Sequence, residues 1–208
     1  MGTRHLIAIC IDGKYPIAQY GQWDGYPEGQ GVNVLQSLKG KSLAKLKAGA
    51  SLAVAYTEDN LRQVYIDLGI DPDSQWITME DSHKVNKAHP QLNRSMGAKI
   101  IAFVRNQSQP YPVLNDLDFA QDSLFCEWAY VIDFDTNTFE VFKGFNHTPL
   151  TEGERFYKAD KSASDKYHAV KLVATFDLLK LPSKEAFLDT FKEADEDEEN
   201  EPSPVESL

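Results

Sequence analysis

The chain has 208 residues, 42% of them hydrophobic, which suffices for one sizeable core. Its formal charge of −11 is unevenly spread: residues 193–208 hold eight acids, two prolines and no Lys or Arg, leaving 24 acids against 21 bases in the body. A nearly neutral body lacks the positive footprint for gripping a phosphate backbone, which argues against nucleic-acid binding by the folded part.

Residues 1–192 read as one domain. Residues 193–208 read as a disordered acidic tail, because so few apolar side chains cannot offset the entropy of ordering them. The early apolar run, residues 6–11, is only six long, and no later run approaches bilayer length. Neither a signal peptide nor a membrane contact is expected, and the chain is placed in the cytoplasm. Met1-Gly2 invites N-myristoylation, but Leu6 stands where that pattern wants Ser or Thr.

Residues 4–11 (RHLIAICI) predict a strand that is apolar on consecutive positions, hence covered on both faces and central in its sheet. Asp12-Gly13 signals a hairpin, with residues 14–20 as the return strand. Pro16 has no N–H for the ladder, which favours a loop of three or four residues over the two-residue turn. Paired residue numbers then sum to 26 or to 25 respectively, and either register sets Thr3 opposite Gln22 or Trp23. The N-terminus is therefore expected to touch the stretch that follows the hairpin.

Helices are predicted over residues 28–38, stopped by Gly40, and over 42–52. A third, capped by Thr57 or Asp59, runs to Leu68 and is closed by Gly69. Two more cover 78–87 and 93–106, and 107–122 reads as a long connection. Strands follow at 125–134 and 138–142, joined by a turn with Asn137 left-handed, and at 167–176 after a loop. Ser183 caps a last helix ending at Phe191.

The stretch 19–31 (QYGQWDGYPEGQG) is too polar for core and too aromatic for a plain loop. As a pocket, Trp23 and Tyr26 give flat walls, Asp24 a charged acceptor and Gln22 a paired donor and acceptor, with Thr3, Arg4 and, as a further candidate, His5 beside them. As structure alone, Asp24-Gly25-Tyr26-Pro27 is a turn with Trp23 packed inward. Arg4 either binds an anion or pairs with Asp24 or Glu127, and Glu127 either joins the pocket or marks a sheet rim. Cys10 and Cys126 lie in apolar runs without metal-ligand spacing and read as reduced, buried thiols. His83 and His89 do not share a helical face, His147 and His168 stand alone, and no phosphate-cradling loop precedes a Lys; no metal and no cofactor is expected.

The blocks MGTR, QYGQWDGYPEGQG and EWAYVIDFD together resemble a family of uncharacterised microbial and viral proteins that share them. The layout, a central N-terminal strand, a return strand into an Asp-bearing loop and late antiparallel strands, is similar to the N-terminal-nucleophile (Ntn) hydrolases. That likeness implies an α+β fold, a layered sandwich of antiparallel sheets and helices. It also implies amide-bond hydrolysis with Thr3 as nucleophile and Asp24 orienting it. The chemistry needs a free amine on Thr3, whereas ordinary methionine removal stops at Gly2. The expected ligand is a small polar or amide-containing molecule. The competing expectation is a non-catalytic interaction module that engages a protein partner through the aromatic motif and the acidic tail.

Overall fold

The computed structural model describes residues 2–74, 76–159 and 166–199. Seven strands and six helices follow one another. They are β1 (His5–Ile11), β2 (Lys14–Gly21), α1 (Val32–Leu38), α2 (Leu43–Ala50), β3 (Ala53–Ala55), α3 (Glu58–Asp67) and α4 (Met79–Ala88). Then come α5 (Lys99–Arg105), β4 (Tyr111–Val113), β5 (Trp128–Asp133), β6 (Thr138–Lys143), β7 (Lys171–Asp177) and α6 (Lys184–Glu199). One sheet has the order β2-β1-β5-β6-β7, and β3 with β4 makes a separate parallel pair. Among the described residues no helix is long and apolar enough to cross a membrane.

The α+β expectation holds, with one correction at the centre: β1 and β5 run parallel, from His5 against Trp128 to Cys10 against Asp133. More than a hundred residues separate these strands, a connection long enough to bring β5 back to the end where β1 began. The other neighbours in the five-stranded sheet are antiparallel. As its sequence demands, β1 is buried at every residue.

Strand alternation sorts the core into two clusters. Ile7, Ile9, Tyr130, Ile132, Phe139 and Val141 meet α1, α2, α5 and α6, while Leu6, Ala8, Ala129, Val131 and Phe142 meet chain without α-helix, the 3₁₀ turn around Ala120 and the segments around Leu150, Phe156 and Val170. The sheet is thus covered by helices on one face and by long loops on the other.

The first hairpin corrects the loop expectation. Asp12 (φ 52°) and Gly13 (φ 67°) form a two-residue left-handed turn, and Ile11 pairs with Lys14. The register then shifts, so that Ile9 pairs with Ile17 and His5 with Gly21. Tyr15 and Pro16 together face Cys10 across this bulge, where the missing N–H of Pro16 interrupts no ladder bond. Both anticipated registers occur, one on each side of the irregularity.

Helix signals were good guides. Thr57 caps α3 in a reciprocal box with Asn60, Thr78 caps α4, and Ser183 accepts from the Ala186 N–H at the start of α6. Residues 93–106 form a helix only from Lys99, after a turn with Gly97 at φ 50°. The last helix passes its expected end at Phe191 and continues to Glu199, through sequence rich in Glu, a good helix former. The rest of the acidic tail lies outside the described residues.

Arg155 holds the loop-covered face. It donates to Glu140, Asp133 and the Tyr15 hydroxyl, and all three charged side chains are largely buried. Removing the cation strands two carboxylates in a poorly solvated place. Arg155→Met should cost about 3–5 kcal/mol in urea unfolding; a loss within error of zero would contradict this role.

Candidate functional site

The stretch after β2 is held down from below by side chains of the sheet. Tyr130, wholly buried on β5, donates its hydroxyl to the Gly25 carbonyl at 2.7 Å, and the Gly25 N–H donates to the Thr3 carbonyl at 2.9 Å. The chain's start therefore does lie against this stretch: a Cβ on Gly2 would come within 2.3 Å of the Trp23 ring. Asp24 is left-handed (φ 57°), and its carbonyl accepts from the Gln30 N–H at 2.8 Å. Residues Pro27–Gly31 make a π-helical turn that leads into α1.

The glycines here make room for one side chain. A Cβ on Gly21 would lie 2.1 Å from His5 Nε2, and one on Gly25 would lie 2.9 Å from the His5 Cβ. His5 shares the helix-side face of β1 with Ile7 and Ile9 and is only 1% exposed. Neither ring nitrogen has a partner in hydrogen-bond geometry. Burial pulls its pKa down from 6.5 to about 4, more than the Thr3 carbonyl and the Asp24 charge raise it, so the ring is neutral at pH 7.

His5 lies at the edge of a cleft of ≈ 700 Å³. One wall is Trp23 and Asp24 continued by a polar stripe, Gln30, Asn33 and Ser37, along the outer side of α1. The opposite wall is the turn Arg94–Gly97 continued by Ala98, Ala102 and Arg105 along α5, with Lys99 and Lys41 also contributing. Gln30 ties the walls together by accepting from the Ala98 N–H at 2.9 Å, and the Gln22 N–H donates to the Arg94 carbonyl at 2.9 Å. Among the described residues none of Lys41, Arg94, Lys99 and Arg105 makes a salt bridge. Arg105 donates to the Ser37 carbonyl, but its Nε is buried without a partner.

The predicted site residues divide. Trp23 (49% exposed) and Asp24 line the cleft, whereas Thr3, Arg4, Gln22, Tyr26 and Glu127 do not. The Arg4 side chain lies 3.6 Å from Glu127, its backbone N–H donates to the same carboxylate at 3.1 Å, and its guanidinium stacks over Phe125 at 4.7 Å. Strand alternation sends it to the face opposite His5. Gln22 accepts from the Tyr20 hydroxyl at 2.5 Å, and Tyr26 reaches Asp24 at 3.5 Å. Sequence reading named His5 only as a further neighbour of Thr3 and Arg4, and missed Arg94, Lys99, Arg105 and Lys41 as a group. The available signal was a polar stripe at helical spacing, indistinguishable from an ordinary solvated face.

Among the described residues one cluster has metal-ligand composition. Cys10, Asp133 and Asp135 bring their ligand atoms within 4.8 Å of one another. Their oxygens are engaged: Asp135 accepts from the Asp12 and Gly13 N–H groups, each at 2.8 Å, and Asp133 from Asp135, Thr136 and Arg155. Burial pushes the Cys10 thiol up to about 11, against thiolate formation. The cluster staples two hairpin turns together. Cys126 is likewise a free, buried thiol.

No protein-family model, curated protein or solved structure matches this chain, so the site stands on its own geometry.

The buried imidazole makes stability pH-dependent. Its folded pKa is depressed, so between pH 6.5 and about 4 the unfolded chain binds the extra proton, and stability falls as pH falls through that window. Urea unfolding should show wild type losing up to about 3 kcal/mol more than His5→Gln over this interval. Equal losses, or a His5 ring that titrates near 6.5 by NMR, would contradict the neutral buried ring.

Proposed function

We propose that this is a small-molecule-binding protein of the cytoplasm whose cleft beside β1 takes a small polar ligand. The observation that carries this reading is a concave space beside β1 whose walls bring together Trp23, Asp24, amide side chains and four cations that make no salt bridge among the described residues. The cleft volume falls in the range typical of ligand pockets. Trp23 offers a flat apolar wall, Asp24 a charged acceptor, and the amides of α1 further donors and acceptors.

A second reading, an amide-bond hydrolase with Ntn-type layering, is favoured by one contact: the Asp24-Gly25 turn bonds directly to Thr3. In that reading a cleaved chain would free the Thr3 amine beside Asp24. Intact mass measurement of the protein from its source tests it: a chain starting at Thr3 supports hydrolysis, and one retaining Gly2 removes the mechanism. The interaction-module alternative would use Trp23 and Tyr26 as a flat patch, but Trp23 forms part of a concave wall instead.

The binding reading is tested by protein-observed NMR against a library of small polar compounds. Hits should shift the amides of Trp23, Asp24, Gly97 and Ala98, and Asp24→Ala should weaken them about tenfold. No shifts there, or shifts confined to the exposed Trp76, Ile77 and Met79, would overturn it.

A further inference from the structure

We propose that the ligand of this cleft is a phosphorylated small molecule, its phosphate held by Arg94, Lys99 and Arg105 and its flat polar part lying against Trp23. The inference rests on the binding reading above and narrows it to one chemical class.

The argument begins with charge. The chain is strongly acidic as a whole, yet the side chains lining the cleft include four cations, Lys41, Arg94, Lys99 and Arg105, against the single carboxylate of Asp24. Three arginines elsewhere are paired, Arg155 with Asp133 and Glu140, Arg62 with Asp73 and Arg4 with Glu127. The four in the cleft have no ion pair among the described residues. Arg105 shows the consequence most clearly, since its Nε is buried and unpartnered and burial lowers its pKa with no carboxylate to offset it. A net excess of three positive charges suits a dianion better than a single carboxylate, and the Arg94 guanidinium can grip phosphate oxygens bidentately.

Trp23, half exposed on the wall that also carries Gln30 and Asn33, presents a ring face next to amide groups, a surface for a planar polar moiety.

The test uses NMR titration of the full chain with inorganic phosphate and pyrophosphate at constant ionic strength, and with sodium chloride as control. Expected are saturable shifts of the Trp23, Asp24, Gly97 and Ala98 amides and of the His5 ring, with pyrophosphate binding more tightly than phosphate. Arg94→Gln and Lys99→Gln, both at exposed positions, should weaken binding about tenfold each while leaving the spectrum dispersed. Linear shifts matching those of chloride, or affinities unchanged in both variants, would overturn the proposal. If neutral compounds then still shift the same amides, the anion class fails and the pocket survives; if nothing does, both readings fail.

Discussion

The site depends on a packing constraint between β1 and the glycines that follow β2. His5 points from the first residue of the central strand into space that any side chain at Gly21 would occupy, and Gly25 closes over the same imidazole. Tyr130 performs the matching task one strand away, rising through the core to bond the Gly25 carbonyl. Two sheet side chains thus support the loop from beneath, and the loop in turn starts α1 at a fixed angle. The glycine-rich character of this stretch is steric in origin, because it admits polar groups of the sheet to within bonding distance of its backbone.

This arrangement carries an energetic asymmetry. Tyr130 is buried and satisfied, whereas His5 is buried and unsatisfied on both nitrogens. The two lie on the same face of the sheet, so the difference is not one of solvent access alone. Tyr130 points at backbone that can answer it, while His5 borders the one side of the loop where α1 and α5 leave a gap. Along that gap stand Lys41, Arg94, Lys99 and Arg105, of which Arg105 alone is partly buried, with its Nε unpartnered.

Much of the fold was readable in the chain. Consecutive apolar residues placed β1 at the centre, Asp12-Gly13 gave the hairpin, and Thr57, Thr78 and Ser183 marked helix starts where they occur. The parallel pairing of β1 with β5 was not readable, because it depends on how a long helical crossover returns and not on any local pattern. The two-residue turn was missed because the effect of Pro16 was assigned to the loop and the chain absorbs it in a bulge. For the site, residue composition led correctly to Trp23 and Asp24 and to their contact with the N-terminus. It misled at Arg4 and Glu127, which alternate onto the opposite face and satisfy each other. His5 was a candidate neighbour of that stretch, but nothing in a sequence tells whether a buried imidazole will find a partner.

The central claim is that His5 is a neutral imidazole with neither nitrogen bonded to the protein, and it is most directly tested by the ¹⁵N spectrum of that ring in the ligand-free protein at pH 7. The account predicts one protonated and one bare nitrogen, with neither shift displaced by a strong hydrogen bond and with no scalar coupling to a protein acceptor. A doubly protonated ring, or a coupling that ties either nitrogen to a backbone or side-chain oxygen, would contradict it.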